Sequence, residues 1–305
     1  MKITKAYKNE VEKIKMYFKH SFPEAQGTSI EAYFDVYFDV NETMVLRNDK
    51  NEILALAQVK PKVISLGDKK LKTHLISHVM TRPEFQGKGY MNALIQGVLS
   101  KTSKDTLLTV LKPYEPNVFR SLGFENVIAT TEYNIATKDI PSMSTEGILL
   151  SPFASDLKQA YEAFTEYFDG HFDRDDAYYD ALKEYVMHRK GNIIGFKEAG
   201  ILKGYCVYLD HPTHTEVIEC VYDTSGTLIK LLSFVSRGKH RVLLKASTSE
   251  KIHKLFPKSM KTTQPVMMAR INDQALFERL YGLKIISAYS GFNVSAKPLF
   301  NRDFQ

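Results

Sequence analysis

The sequence HVMTRPEFQGKGYMNALIQGVLS, residues 78–100, contains the most informative pattern in this chain. It begins in an alternating, strand-forming run and then passes through a turn that contains Pro83 and two glycines flanking a lysine. From Met91 onward, apolar residues recur at intervals of three and four, which is the pattern of a half-buried helix. The stretch therefore predicts a strand, a glycine-rich turn and a helix.

A turn of this kind can bind phosphate, because the first amides of a helix lack internal partners and the helix dipole is positive there. Gly87 and Gly89 would let phosphate oxygens approach the backbone. The turn is not a P-loop, since Lys88 is followed by glycine where that motif has serine or threonine. It is not a dinucleotide fingerprint either, since Asn92 leaves the glycine pattern incomplete. An ordinary structural turn remains as the alternative.

Residues 86–91, QGKGYM, resemble the Q-x-x-G-x-[G/A] pyrophosphate loop of the GNAT acyltransferases, and FRSLGF at 119–124 resembles a later element of that family. Met91 departs from the small residue of the pattern, and PEFQGKGYMNAL is similar to the Eis-like (enhanced intracellular survival) branch. The resemblance implies acetyl-CoA as co-substrate and no metal. It also implies a set of coenzyme-binding residues: Val79, Met80, Thr81, Gln86, Gly87, Lys88, Gly89, Tyr90 and Met91.

The composition fits a soluble globular protein of about two domains, with 305 residues of which 44% are apolar and 25% are charged. We expect no membrane segment, because no apolar run approaches the roughly 18 residues of a span. The first 18 residues read as a charged amphipathic helix without a signal-peptide cleavage site, which favours a cytoplasmic location. The net charge of +6 is scattered, so we expect no nucleic-acid partner.

The expected fold class is α/β, with tandem GNAT-like domains of mixed twisted sheets flanked by helices and a short C-terminal segment. The first domain, 1–140, contains the coenzyme loop. The second domain, 146–262, repeats the strand, helix and strand order, but residues 223–226 read as an ordinary helix start. Residues 263–305 are too few for a core of their own and resemble a truncated sterol-carrier-like region. We expect one coenzyme site per chain.

An early helical patch, SIEAYFDVYFDV, sets Phe34 and Phe38 four residues apart, and likewise Glu31 and Asp35. In GNAT-like folds this region borders the acceptor pocket, so the resemblance nominates Phe34, Asp35 and Phe38 for substrate binding. The expected acceptor is a primary amine of an aminoglycoside or polyamine-like small molecule, a peptide or a protein lysine. Core aromatics beside solvated acids are the alternative interpretation.

An amine of pKa about 10.4 must lose a proton before it can attack, at a free-energy cost of about 4 kcal/mol near neutral pH. In Eis-like proteins the terminal carboxylate reaches the active site, which nominates Gln305 as the proton acceptor, with His78 as a lesser candidate. Phe119 matches the position of the family's tyrosine acid and cannot donate a proton. Tyr114 is therefore nominated instead, with Tyr133 as a further neighbour in sequence.

The Phe119 departure keeps a second function open, a non-catalytic coenzyme A-binding sensor or scaffold. A third and weaker alternative is a related transferase with a different acyl donor or a thiol-linked acceptor. The family also includes homo-oligomers. Cys206 and Cys220 are expected to be buried free thiols on neighbouring strands. His211 and His214 are expected in a solvated loop without a metal.

Overall fold

A computed structural model describes residues 1–22 and 28–303. The chain divides into two compact units. The first unit comprises Met1–Ile128 and Pro265–Ala296. The second unit comprises Ala129–Gln264 and Lys297–Gln305.

The strands and helices are numbered in chain order. They begin with β1 (Lys2–Lys5), α1 (Val11–Ser21), α2 (Thr28–Val36), β2 (Thr43–Arg47), β3 (Ile53–Leu66), β4 (Lys69–Thr81), α3 (Tyr90–Thr102), β5 (Leu108–Leu111) and β6 (Glu125–Ala136). They continue with β7 (Ile148–Leu150), α4 (Ala154–Thr165), α5 (Asp176–His188), β8 (Gly191–Glu198), β9 (Ile201–Asp210), β10 (His214–Tyr222) and α6 (Ser225–Val235). They end with β11 (Arg241–Ser247), α7 (Ile252–Leu255), β12 (Met260–Ile271), α8 (Gln274–Tyr281) and α9 (Ala288–Phe292).

The sheet of the first unit has the strand order β1-β2-β3-β4-β5-β12. Its neighbours are antiparallel except for β4 and β5, which are parallel and joined by helix α3. Parallel neighbours need such a crossover connection. The apolar stripe predicted for α3 is buried, with Leu94, Ile95, Val98 and Leu99 packed on the sheet. This confirms the predicted strand, turn and helix.

The second unit repeats this arrangement with the strand order β7-β8-β9-β10-β11-β6. Again one neighbouring pair, β10 and β11, is parallel, and α6 connects it. The other neighbouring pairs are antiparallel. The predicted α/β class with tandem mixed sheets and flanking helices is therefore confirmed.

The last strand of each sheet comes from a distant part of the sequence. In β12, residues 268–271 pair with β5 of the first unit, and β6 residues 130–136 pair with β11 of the second. The compact units consequently divide near 128 and share residues 265–305 between them, whereas the sequence suggested domains of 1–140, 146–262 and 263–305. The relation of 263–305 to a sterol-carrier domain stays a prediction.

The first residues differ from the sequence-based expectation of a single amphipathic helix. Residues 2–5 form β1 and pair with β2, and the helix begins only at Val11. Arg47 of β2 is fully buried, where its guanidinium forms two hydrogen bonds with Glu10, at 2.7 and 2.6 Å, and stacks over Tyr7. Arg47 also donates from Nε to the Thr4 hydroxyl of β1 at 3.1 Å, and residue periodicity alone does not reveal these long-range contacts.

Candidate functional site

The glycine turn adopts backbone angles that favour glycine. Gly87 has a φ of 74° and Gly89 a φ of 77°, both in the left-handed region. No described atom lies within 4 Å of the position that a Cβ would occupy at either residue. Gly89 is the N-cap of α3, and no described side chain caps that helix. The first amides of α3 therefore face an open surface that an anion can approach.

A cavity of about 470 Å³ lies at this turn. It is lined by six of the residues nominated from sequence, namely Thr81, Gln86, Gly87, Gly89, Tyr90 and Met91. Phe85, Asn92 and Val118 also line it, and the sequence pattern did not single them out. The ammonium of Lys88 instead donates to the carbonyl of Glu84 at 3.3 Å and lies 5.4 Å from the Phe85 ring.

Strands β4 and β5 separate beside the cavity. Their parallel pairing runs from Thr73 to Ile76 on β4, and one further hydrogen bond joins the amide of Lys112 to the carbonyl of Ile76 at 2.9 Å. Beyond Ile76, β4 continues to pair with β3 on its other side. Residues 77–81, which include the nominated Val79, Met80 and Thr81, thus form a strand end beside a split in the sheet.

A β-bulge marks the same place. Two residues of β4, His78 and Val79, lie opposite Ala57 of β3, and His78 has a φ of 49°. A bulge re-aims the side chain of the strand that carries it. The His78 ring lies 4.3 Å from the Tyr33 ring and 5.4 Å from that of Phe18, while part of the residue stays accessible. Burial, then the charges of Lys112 and Lys60, lowers the pKa of His78 to about 3.

Two of the nominated acceptor residues, Phe34 and Phe38, pack against Phe18, which also contacts His78. Phe34 and Phe38 stack with ring centroids 4.4 Å apart, and Phe34 makes an edge contact with Phe18 at 5.0 Å. Asp35 is exposed. Glu31 pairs with Lys15 and Lys19, whose hydrogen bonds hold the pKa of its carboxyl below the usual value.

The residues nominated for proton transfer differ from one another in burial and in the unit that contains them. Tyr114 is 71% exposed and its ring lies 6.1 Å from that of Phe22. Phe119 is buried in the core beneath α3. Tyr133 is buried in the core of the second unit. Gln305 lies outside the described residues, so the role proposed for its carboxylate stays a prediction.

The second unit has a similar parallel pair that also separates at a bulge. Pairing of β10 with β11 ends at Val217, and Ile218 is an extra residue relative to β9. Here only two residues connect the strand to α6. The Thr224 hydroxyl accepts a hydrogen bond from the amide of Thr227, as expected for an ordinary helix start. The second unit thus has neither the glycine loop nor an uncapped helix terminus at this position.

The C-terminal residues of the chain contact β11 beside that second split and are linked to β10 through Arg174. The carbonyl of Leu299 accepts from the Ser247 hydroxyl of β11 at 2.8 Å. Arg302 donates to Thr130 of β6 at 2.5 Å, and the carbonyl of Arg302 accepts from Arg174. Arg174 in turn forms two hydrogen bonds of 2.9 Å with Glu219, which follows the bulge of β10.

Aromatic side chains surround this buried polar cluster. The Arg174 guanidinium lies 4.0 Å from the Tyr161 ring, and the Tyr205 hydroxyl donates to Glu219 at 2.7 Å. Phe300 is 2% exposed and packs among Tyr161, Phe164 and Phe168. Arg174 and Glu219 could not be identified from the sequence, since the two are 45 residues apart and share no motif.

The remaining residues that the sequence singled out are two cysteines and two histidines of the second unit. Cys206 and Cys220 are directly opposite on β9 and β10 and are buried free thiols, as predicted. The rings of His211 and His214 stack 4.5 Å apart. Among residues 1–22 and 28–303, no group of three or more His, Cys, Asp or Glu side chains could hold a metal ion. None of the described helices combines the length and apolar character needed to cross a membrane.

Comparison with known proteins gave a family match for the part of the chain that contains the glycine turn. Residues 2–127 match the sequence model of a family described as an acetyltransferase (GNAT) domain. This segment contains α3, the glycine turn and the aromatic side chains around His78. Comparison with curated proteins gave no match.

Solved structures share the fold over most of the chain. A GCN5-related N-acetyltransferase from Anabaena variabilis is 18% identical with a TM-score of 0.75, covering 89% of this chain and 73% of that one. A protein of unknown function from Enterococcus faecalis, described as a probable N-acyltransferase, is 19% identical with a TM-score of 0.77, covering 91% and 74%. Eis1 from Mycobacterium abscessus is 13% identical with a TM-score of 0.69, covering 91% and 75%. At these identities the likeness shows the fold.

Proposed function

We propose that the protein is an acetyl-CoA-dependent N-acetyltransferase of Eis-like type that acetylates a primary amine. The observation that carries this proposal is the uncapped N-terminus of α3, which opens with two left-handed glycines onto a cavity beside the β4–β5 split. Amides presented in this way suit the pyrophosphate of a coenzyme. The proposal includes a cytoplasmic location and allows a homo-oligomer.

The residues of the first unit fit this coenzyme. The backbone of 87–91 would bind the pyrophosphate, because nothing described blocks the approach to Gly87 and Gly89. The strand end at 79–81 would position the pantetheine, since it lies beside the split. When bound, acetyl-CoA supplies the activated acetyl group as a thioester. The protein's own part is to hold that thioester in line with the amine and to accept the amine's proton.

The proton acceptor we propose is the terminal carboxylate of Gln305. His78 is poorly suited, because a group with a pKa of about 3 retains a proton weakly at neutral pH. Deletion of residues 304 and 305 is expected to lower kcat at least tenfold and to leave acetyl-CoA affinity within about twofold, since a base acts in the chemical step. Single-turnover kinetics and calorimetry separate these quantities. Wild-type turnover in the truncated chain would remove the carboxylate from the mechanism.

The proton donor for the leaving thiolate is proposed to be Tyr114, which is exposed near Phe22. A thiol of pKa about 8.5 is a tolerable leaving group, so the acid contributes less than the base. Tyr114→Phe is therefore expected to reduce kcat by less than the C-terminal deletion does.

The decisive experiment combines calorimetric titration of acetyl-CoA with release of free thiol in the presence of primary amines. Binding with amine-dependent thiol release supports the transferase. Binding without release by any amine supports the alternative, a coenzyme-binding sensor or scaffold. The burial of Phe119 where the family has a tyrosine is the observation that favours this alternative. The absence of acetyl-CoA binding contradicts both.

A further inference from the structure

A cluster of aromatic rings surrounds the β-bulge of β4. The helices α1 and α2, the residues that follow each of them, and the ends of β4 and β5 contribute its members. This aromatic cluster comprises Phe18, Phe22, Tyr33, Phe34, Phe38, His78 and Tyr114. Its rings make stacked and edge contacts with centroids between 4.3 and 6.5 Å apart, which is the usual range for aromatic pairs.

The cluster has a buried floor and an accessible upper part. Phe18 and Tyr33 are 2% and 5% exposed and pack against His78. Phe22, Phe34 and Phe38 are only partly buried. Core packing accounts for the floor, whereas partly exposed rings grouped at one place offer apolar surface to a ligand.

The position of the cluster connects it to the proposed reaction. His78 directly precedes Val79, the first residue of the strand end that would position the pantetheine. Phe34 packs against Phe18 and Tyr33, which both contact His78, so a ligand on these rings can extend toward that strand end. Cation–π attraction to such rings also suits an amine that arrives protonated.

The charges around the cluster argue against a second positive charge on the acceptor. The Lys60 ammonium lies 5.9 Å from the Tyr33 ring, and both Lys60 and Lys112 act electrostatically on His78. Lys15, whose ammonium is 5.7 Å from the Phe34 ring, pairs with Glu31, as does Lys19. Asp35 adds one exposed carboxylate, which also acts on Lys15. Glu31 and Glu42 are already paired with lysines, Glu42 with Lys60 at 3.8 Å, and this disfavours a polycation as the acceptor.

We propose that the acceptor is a monoamine bearing an aromatic group, whose ring lies on Phe34 and Phe38, rather than a polyamine or an aminoglycoside. This inference rests on the proposed function. In the reaction, the lone pair of the neutral amine nitrogen forms a bond to the thioester carbonyl carbon. The carbon–sulfur bond breaks with its electron pair on sulfur, and the proton lost by nitrogen balances the one gained by the thiolate. The products are an N-acetyl arylalkylamine and free coenzyme A.

The test compares 2-phenylethylamine with 2-cyclohexylethylamine, n-butylamine, putrescine, spermidine and kanamycin in the thiol-release assay. We expect kcat/KM for 2-phenylethylamine to exceed that for putrescine at least tenfold, and to exceed that for 2-cyclohexylethylamine by a smaller factor. Equal or faster turnover of putrescine, spermidine or kanamycin overturns the acceptor assignment and leaves the transferase proposal intact. If acetyl-CoA binds but none of these amines releases thiol, the transferase proposal and this one fail together.

Two substitutions test the rings themselves. Phe34→Leu and Phe38→Leu are each expected to raise KM for 2-phenylethylamine about two- to tenfold, and to raise KM for n-butylamine by a smaller factor. Phe153→Leu is the matched control, because Phe153 is 78% exposed in the second unit. Phe34→Tyr, which retains the ring, should keep the wild-type preference and guards against misfolding of the leucine variants. An equal change in KM for both amines would show that the rings act on structure alone.

Discussion

The two units contain the same strand arrangement, a parallel pair that separates beside a β-bulge, but the separated strand ends meet different partners. In the first unit the split adjoins the glycine turn and a cavity of about 470 Å³. In the second unit the chain's own residues 299–302 contact β11 beside the split and bond to Arg174, which pairs with Glu219 of β10. The shared fold therefore does not make two equivalent sites.

The difference begins with the helix that follows each split strand. Eight residues lead from β4 into α3, and two lead from β10 into α6. Gly89 leaves the amides of α3 exposed to a ligand, whereas Thr224 uses its hydroxyl to satisfy an amide of α6. Anion binding and helix capping compete for the same backbone groups, so each helix terminus supports one of the two.

The largest expected effect breaks the buried charge pair that holds the tail of the second unit. Arg174 and Glu219 have 2% and 0% side-chain exposure, and removal of one partner leaves a buried charge uncompensated. Arg174→Met should lower the free energy of unfolding by about 3–5 kcal/mol, measured by urea denaturation. The double variant Arg174→Met/Glu219→Met should recover part of this loss. A single variant within 1 kcal/mol of wild type would show that the pair does not secure the tail.

The next largest effect is on acetyl-CoA affinity, where a substitution in the glycine turn is compared with one at a glycine of similar backbone geometry elsewhere. Gly89→Val should weaken acetyl-CoA binding at least tenfold, because a branched side chain obstructs the approach to the amides. Gly200 is the matched control, since it has a φ of 81° and open space around its Cβ position, but it lies in the β8–β9 hairpin. Gly200→Val should show the same backbone strain in its melting temperature with unchanged affinity. Unchanged affinity in both variants would contradict the loop assignment.

The glycine turn could be predicted from sequence because its requirements are local. A left-handed backbone angle selects glycine, and a helix start without a capping side chain can be read in consecutive residues. The same reasoning correctly predicted a helix start within residues 223–226, where Thr224 caps α6. These features need no knowledge of the tertiary fold.

The tail contacts beside the β10–β11 split and the aromatic cluster could not be predicted in this way. The tail contacts join residues 52 to 172 positions apart, and pairings of that range leave no periodic signal. The cluster likewise gathers rings from Phe18 to Tyr114, of which the sequence analysis nominated only Phe34 and Phe38 for substrate binding. Phe22 could not be singled out, because in sequence a ligand-facing phenylalanine at a helix end cannot be told from a core phenylalanine.

A smaller effect tests the cap in the second unit. Thr224→Ala removes the side chain that accepts from Thr227, so the free energy of unfolding should fall by about 1 kcal/mol. Calorimetric titration should still give one acetyl-CoA per chain in both wild type and variant, because the loop and its glycines are absent there. A stoichiometry of two in either protein would show that the second split binds coenzyme as well.

The smallest expected effect is a pH dependence of stability that comes from the histidine in the bulge of the first unit. The bulge of the first unit contains His78, whose pKa is lowered by burial to about 3, whereas that of the second contains Ile218. A histidine kept neutral in the native state gains its proton on unfolding, so its contribution lowers stability as the pH falls below about 6.5. The limit is about 1.4 kcal/mol per pH unit, and partial exposure of the residue makes the real slope smaller. Since Asn tolerates a positive φ, His78→Asn should retain the bulge and lose this dependence.

Urea denaturation at pH 7.0, 5.5 and 4.5 measures this pH dependence of the unfolding free energy. The difference in unfolding free energy between His78→Asn and wild type should move in favour of the variant as the pH falls. Carboxylates with lowered pKa values, such as Glu10, also destabilise the native state in acid, but they contribute equally to both proteins and cancel in the difference. His253→Asn, at an exposed position of α7, is the matched control and should parallel wild type. If His78→Asn also parallels wild type, the ring takes up a proton as readily in the folded protein as in the unfolded chain, and it becomes available again as a base beside the bulge.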